Sequence, residues 1–180
     1  DAFSIFWPFG DRAGLDSSEL SFISAEMAAN PDASLTLVFG HHPLVPTGDS
    51  EDTYLLYGKE ELVGLMNSHG ASLYGYGHTH DSSEKFFTQN MSDGVFYFNV
   101  ADLGKGSPNQ YTVTAIDCNG ISSVTQTVGT WPVVLITAPT DRRLGGVVNP
   151  YAYAVSTATP NPVRALVFDP AAVTQVQFRA

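Results

Sequence analysis

The chain has 180 residues, of which 43% are hydrophobic, and 18 acidic against 8 basic side chains give it a formal net charge of −10. Such a composition can bury an ordinary globular core, and no apolar run reaches the roughly 18 residues that a membrane-spanning helix requires. The acidic balance also argues against a nucleic-acid surface, because phosphate binding needs clustered Lys and Arg. The one cysteine, Cys118, has no internal disulfide partner and leaves the cellular compartment open.

The first predicted helix begins after Asp16 and ends before Pro31. Asp16 and Glu19 have the spacing of a capping box, and proline disfavours helical geometry in the residue before it. Three apolar residues then recur at helical spacing and share one face: Leu20, Ile23 and Met27. The apolar run at residues 35–39 that follows predicts a strand covered on both faces.

A second helix is predicted at residues 59–68, after an acidic loop at residues 44–57 that either shapes substrate access or is plain surface. The helix directs its apolar residues inward, namely Leu62, Leu65 and Met66. His69 stands at its C-terminal end, where the helix dipole favours a cationic imidazole. We therefore predict that His69 caps the helix and binds no metal. A short strand is predicted next, at residues 73–76.

From there on, aromatic and β-branched residues dominate, and the prediction is all strand. Strands are expected at residues 85–89, 95–100, 111–117 and 121–128, with Asn119-Gly120 as a hairpin turn between the last two. After a boundary at residues 129–132, short runs at 133–137, 151–155, 163–168 and 173–178 have the pattern of a β-sandwich domain. Four strands leave an open edge and a thin core, so this second domain is expected to be incomplete.

Two histidine motifs each follow a predicted strand. His41 stands in Phe-Gly-His-His-Pro at residues 39–43, and His78 and His80 stand in Tyr-Gly-His-Thr-His at residues 76–80. In an α/β sheet, ligands and metals collect in the loops beyond the carboxyl ends of strands, and imidazole binds zinc, iron, manganese and copper. Histidines beside glycine and proline can also merely shape turns, but two such motifs at two strand ends favour a metal site.

Together these motifs resemble the last two metal-binding blocks of the calcineurin-like metallophosphoesterases. His-x-Pro is matched at residues 41–43 and Gly-His-x-His at residues 77–80, with one helix and one strand between them. The resemblance covers residues 15–117 and implies a mixed α/β fold, part of a four-layer αββα sandwich. It also implies hydrolysis of a small phosphate ester, either a monoester or a diester, at two divalent or trivalent metal ions (Mn, Fe or Zn).

By the same resemblance, His41 and His78 bind one metal ion and His80 binds the other, while His42 has a supporting role. Bound metal ions suit an acidic protein, which has to attract phosphate by something other than its side-chain charge. Asp81 is either a surface carboxylate or a group that orients an imidazole. Weaker candidates for phosphate contacts are Arg12 and Lys105.

The family's Asp-x-His, Gly-Asp-x-x-Asp and Gly-Asn-His-Asp/Glu blocks occur nowhere in these 180 residues. The resemblance therefore implies that residues 1–130 are the C-terminal half of the catalytic domain and carry half of its metal site. The runs at residues 131–136 and 163–168 resemble the immunoglobulin-like domain of transmembrane-protein-62-like members, which makes residues 131–180 the start of that domain. An isolated chain of this kind is expected to be nearly inactive.

Two alternatives remain open. One is a non-catalytic, β-rich interaction module. The other is a mononuclear zinc protein in which His41, His78 and His80 provide three nitrogens and water takes the fourth position.

Overall fold

The computed structural model describes residues 3–7, 10–33, 35–44, 55–78, 85–86, 94–104, 109–117, 120–139 and 162–179. These residues form a mixed α/β structure, so the predicted fold class is confirmed. Its elements are β1 (Phe3–Trp7), β2 (Gly10–Gly14), α1 (Ser17–Ala29), β3 (Leu37–Phe39), α2 (Lys59–Ser68), β4 (Leu73–Tyr76), β5 (Lys85–Phe86), β6 (Phe96–Asn99), β7 (Gln110–Asp117), β8 (Gly120–Thr127), β9 (Val133–Ala138) and β10 (Arg164–Phe168). No helix among the described residues has both the length and the apolar character of a membrane span.

The central sheet has four strands in the order β3-β4-β6-β5. Strands β3, β4 and β6 are parallel, and β5 is antiparallel to β6. Leu37 lies opposite Leu73, which in turn lies opposite Phe96, so the three parallel strands begin at the same level. Their carboxyl ends therefore meet at one edge of the sheet, and the loops that follow them leave the sheet side by side.

The core lies on both faces of this sheet. Because successive side chains of a strand point to opposite faces, Tyr74 and Tyr76 face one way, whereas Leu73 faces the other. The main cluster packs the sheet against α1 and α2, and its buried members are Ala13, Leu44, Leu55, Leu62, Met66, Ala71, Tyr74, Tyr76, Val95 and Tyr97. A smaller cluster joins the opposite face to β8 and consists of Leu73, Phe96, Phe98 and Ile121.

Helix α1 begins with the predicted capping box. The Asp16 carboxylate accepts hydrogen bonds from the backbone N–H groups of Ser18 and Glu19 at 2.8 and 2.9 Å, and the Glu19 carboxylate accepts one from the Asp16 N–H at 2.9 Å. The Ser18 hydroxyl is the largest contributor to a lowered pKa of Asp16, because its hydrogen bond favours the charged carboxylate. The helix ends at Ala29, and Asn30 is its C-cap, as Pro31 predicts.

The apolar faces of both helices are those that their sequences predict. From α1, the predicted trio of Leu20, Ile23 and Met27 packs against the main cluster. From α2, Leu62 and Met66 are buried, and Leu65 is half-buried. The boundaries of α2 and β4 also agree with the prediction.

Strand β3 is shorter and less covered than predicted. Only Leu37–Phe39 is strand, and of these residues Val38 alone packs against the main cluster. Phe39 is 72% exposed and Leu37 is 38% exposed. The reason is the position of β3 at the edge of the described sheet, where one of its faces lacks a covering layer among the described residues.

The C-terminal end of the predicted acidic loop makes backbone hydrogen bonds to the end of β2 and the residue after it. The Leu56 N–H donates to the Ala13 carbonyl, and the Leu15 N–H donates to the Tyr57 carbonyl, both at 2.9 Å. These bonds hold residues 55–57 alongside residues 13–15. They thereby fix the backbone just before α1 and just before α2. Residues 45–54 of the predicted loop lie outside the described residues.

The second half of the chain is built from antiparallel pairs. Strands β7 and β8 form the predicted hairpin, but Gly120 lies opposite Asp117 within the ladder, so it belongs to the strand and not to the turn. Strand β9 pairs with β10. The strand predicted at residues 173–178 is wrong, because these residues pair with no described strand and lie exposed. The strand predicted at residues 151–155 lies outside the described residues.

An ion pair joins the β7–β8 hairpin to the two strands β9 and β10. The Arg164 Nε donates to the Asp117 Oδ2 at 2.6 Å, and both side chains are partly exposed. This contact crosses the boundary predicted at residues 129–132. The division of the chain into two domains at this boundary stays a prediction.

Candidate metal site

The two histidine loops leave neighbouring parallel strands. His41 comes two residues after the end of β3, and His78 comes two residues after the end of β4. Backbone hydrogen bonds hold the loops together: the Gly40 N–H donates to the Gly75 carbonyl at 3.0 Å, and the Gly77 N–H donates to the His41 carbonyl at 3.2 Å. The pairing of the two strands thus continues into the loops and brings their histidines to the same place.

Three imidazoles meet there. His41, His42 and His78 each offer one ring nitrogen, and these nitrogens lie within 4.8 Å of one another. His78 Nδ1 and His41 Nε2 are 3.0 Å apart. The ring centroids of His42 and His78 are 4.1 Å apart. We call His41, His42 and His78 the histidine cluster.

The spacing inside the cluster fits a metal ion. Two nitrogens at about 2.0–2.1 Å from one tetrahedral zinc ion stand about 3.3 Å apart, close to the 3.0 Å between His41 and His78. Without metal, the same separation suits an N–H···N hydrogen bond between two neutral rings. His41 is exposed, whereas His42 and His78 are half-buried, so an ion can reach the cluster from solvent. Among the described residues, no carboxylate belongs to it.

The backbone at His78 is left-handed, with φ at 69°. No other non-glycine residue in the described ranges has a positive φ. This conformation costs on the order of 1 kcal/mol for a residue with a Cβ, and such strain concentrates at functional sites. Here it turns the chain sharply after β4 and aims the imidazole of His78 at His41.

Tyr74 holds the loop that carries His41 and His42. Its hydroxyl donates to the backbone carbonyl of His42 at 2.8 Å, and burial of the side chain raises its pKa, so the donor stays protonated. The hydroxyl occupies the space in which a side chain at residue 40 would begin, because a Cβ built on Gly40 would overlap it. Gly40 therefore permits the close approach of the loop to Tyr74.

Of the predicted ligands, the structure brings His41 and His78 together. His80 and Asp81 lie outside the described residues, as do Lys105 and the side chain of Arg12. His69 is exposed and acts as the C-cap of α2, where its N–H donates to the Leu65 carbonyl at 3.0 Å. Its position as the helix cap agrees with the prediction, and it is not part of the histidine cluster.

The structure brings a third histidine, His42, into the cluster beside His41 and His78. The motif predicts a supporting role for it, and its ring nitrogen lies within 4.8 Å of those of His41 and His78. The signal in the sequence is its place directly after His41 and before Pro43. The backbone of residue 42 is held by the hydrogen bond from the Tyr74 hydroxyl, which no local pattern reveals.

No known family model and no curated protein sequence matches this chain. Among solved structures, its fold is similar to that of a dimetal phosphatase from Danio rerio, with a TM-score of 0.53 over 64% of this chain and 15% sequence identity. The chain spans 36% of the length of that structure. At this identity the similarity concerns the fold alone. It supports the metallophosphoesterase-like fold that the histidine motifs implied, whereas the immunoglobulin-like part stays a prediction.

Proposed function

We propose that this chain carries part of the active centre of a metal-dependent phosphoric ester hydrolase. The observation that supports this most is the convergence of His41, His42 and His78 at the carboxyl ends of two neighbouring parallel strands. That edge of an α/β sheet is where ligands bind. The similarity of the fold to a dimetal phosphatase agrees with such a site.

The donor set fits the metals that this function requires. Neutral imidazole binds zinc, manganese and iron, and His41 with His78 would hold one ion. His80, two residues after His78, would hold the second, and residues 1–130 would belong to the catalytic domain. When bound, a metal pair activates water as the nucleophile and stabilises the charge that develops on the phosphoryl oxygens.

The chain's own residues position these ligands. Tyr74 fixes the backbone of the first loop through the His42 carbonyl, and the left-handed turn at His78 fixes the second. Preorganised ligands of this kind lose little conformational freedom when an ion binds. The formal net charge of −10 repels a phosphate ester at long range, so its attraction depends on bound cations.

A second candidate is a mononuclear zinc site. It is favoured by the three imidazoles that already lie within 4.8 Å of one another, with His42 in place of His80 as the third ligand. The variant His42→Ala separates the two proposals. It should lower zinc affinity clearly less than loss of His78 does if His42 only supports the site, and as strongly as loss of His78 if His42 is a ligand.

Hydrolysis tests the function itself. We expect the complete protein to cleave 4-nitrophenyl phosphate or bis(4-nitrophenyl) phosphate, to lose this activity on chelation and to regain it when manganese or zinc is added. Equal rates with and without metal would refute the proposal. Absence of both metal binding and turnover would leave the non-catalytic interaction module as the better description.

The isolated chain is expected to bind metal weakly and to turn over little substrate. Its described cluster consists of imidazoles only, and neutral ligands do not offset the repulsion between two metal ions. Metal content measured after dialysis, together with the rate on both nitrophenyl esters, checks this expectation. Two tightly held metal ions per chain with metal-dependent turnover would contradict it.

A further inference from the structure

A cleft of about 430 Å³ opens directly beside the histidine cluster. His41 and His42 form part of its wall, so the cleft and the candidate metal site share one space. The volume lies within the roughly 300–1,000 Å³ typical of small-molecule sites. The cleft enters the layer between the central sheet and the two helices.

Apart from the two imidazoles, the side chains that line the cleft are apolar or aromatic. They come from both helices and from the sheet, and the main ones are Leu15, Ile23, Val38, Phe39, Leu62 and Tyr74. The Tyr74 hydroxyl is already engaged with the His42 carbonyl. No charged side chain of the described residues lines the cleft.

This lining decides what the cleft can bind. A sugar or a second phosphate would meet only two imidazoles and the engaged Tyr74 hydroxyl as polar side chains there, so part of its lost hydration would not be replaced, which is costly. A ring or an alkyl chain would instead bury apolar surface, which favours binding. Phe39, 72% exposed on the edge strand, adds an aromatic face to the wall.

We propose that the cleft binds the organic group of an apolar phosphate ester, an aryl or medium-chain alkyl phosphate, whose phosphate lies toward His41 and His42. This substrate class rests on the proposed function. The cleft supplies affinity for the organic group, and the metal site supplies affinity for the phosphate. Apolar esters are therefore preferred over sugar and nucleoside phosphates.

Calorimetry on the complete protein separates the two contributions. With zinc present, 1-naphthyl phosphate should bind at least about tenfold more tightly than methyl phosphate, and 1-naphthol should bind the metal-free chain. Equal affinity for the two phosphates, with no binding of naphthol, would overturn the cleft assignment and leave the proposed function intact. Naphthol binding without any metal-dependent phosphate binding would instead overturn the proposed function, and the substrate class with it.

Two tryptophan variants on the same helix provide the structural test. Ile23→Trp should fill the cleft and reduce the affinity for 1-naphthyl phosphate to that for methyl phosphate, with zinc affinity unchanged. Phe22→Trp is the matched control, because Phe22 is 65% exposed on the other face of α1. Unchanged naphthyl binding in a folded Ile23→Trp variant would overturn the proposal. If that variant melts early, Ile23→Ala replaces it and should weaken naphthyl binding severalfold without affecting methyl phosphate.

Discussion

The part of the chain up to residue 104 and the part from residue 109 onward differ in how their strands pair, and only the first gathers metal-binding side chains among the described residues. In the first part, β3, β4 and β6 are parallel, so their carboxyl ends and following loops lie at one edge. In the second part, the antiparallel pairs β7–β8 and β9–β10 send consecutive strand ends to opposite edges. The candidate metal-binding residues therefore lie in the part of the chain whose sheet contains parallel strands.

The second part shows what antiparallel pairs do instead. Along β9, Val133 and Leu135 are buried, whereas Val134 and Ile136 are 44% and 49% exposed. One face of the pair thus packs inward and the other faces solvent. The ion pair between Asp117 and Arg164 connects strands β9 and β10 to the β7–β8 hairpin. These contacts are structural, and the following predictions test whether the two parts differ in function as they do in architecture.

The largest effect is expected from His78→Gly. This change removes one imidazole of the cluster, and glycine adopts the left-handed backbone of residue 78 without strain. Zinc affinity measured by calorimetry should fall by about 100-fold or more. His69→Ala is the control and should leave the affinity within about twofold. If His69→Ala proved as damaging as His78→Gly, the assignment of the ligands would be wrong.

The second-largest effect is expected from Gly40→Ala. The new Cβ would overlap the Tyr74 hydroxyl, so either the loop or the tyrosine has to move. We expect a loss of about 1–3 kcal/mol in the free energy of unfolding, together with weaker zinc binding, because the His42 carbonyl loses its anchor.

Gly64→Ala is the matched control for that change. Gly64 is exposed within α2, and nothing lies within 4 Å of the position of its Cβ. Alanine should stabilise the helix by about 0.5–1 kcal/mol and leave metal binding unchanged. Urea unfolding of both variants measures the difference, and equal stabilities would show that the close approach of residue 40 to Tyr74 is absent in solution.

A smaller effect is expected in the second part of the chain. Arg164→Gln removes the charged partner of Asp117 and should destabilise the protein by about 1 kcal/mol without changing zinc affinity. Lys59→Gln is the control, because the Lys59 Nζ lies 3.9 Å from a Glu60 carboxylate that is 80% exposed. Loss of metal binding in Arg164→Gln would break the comparison between the two parts.

The smallest effect concerns pH. The pKa of Asp16 in the folded chain is lowered from 3.8, so its capping contribution is present above that value and is lost as the pH falls below it. An asparagine at this position would cap the helix without titrating. The melting temperature of wild type relative to Asp16→Asn should therefore be higher at about pH 7 than at about pH 3. A difference independent of pH would contradict a role for the charged carboxylate.

The sequence predicts those elements of the fold that depend on local signals. Asp16 and Glu19 determine the start of α1, and the apolar spacing determines which of its faces is buried. The exposure of Phe39 and the irregular course of residues 173–178 were not predicted. Both depend on which neighbours cover or pair with a strand, and an apolar run carries no information about its partners.

The candidate site likewise has features that the sequence predicts and features that it does not. The approach of His41 to His78 follows from two motifs placed after adjacent parallel strands, so sequence reasoning reaches it. The place of His42 depends on contacts between residues 32 positions apart, since Tyr74 binds the His42 carbonyl. The left-handed backbone of His78 is likewise predicted by no β-strand pattern.

The hydrogen bond from Tyr74 has a consequence for engineering, because it holds the main chain of residue 42 and not its imidazole. The side chain at this position can therefore be exchanged while the loop keeps its anchor. In the proposed mononuclear arrangement, in which residue 42 is a ligand, a cysteine there would add a soft thiolate donor and favour zinc, whereas an aspartate would favour manganese. Exchange of this one side chain would then vary the donor set while the backbone stays fixed.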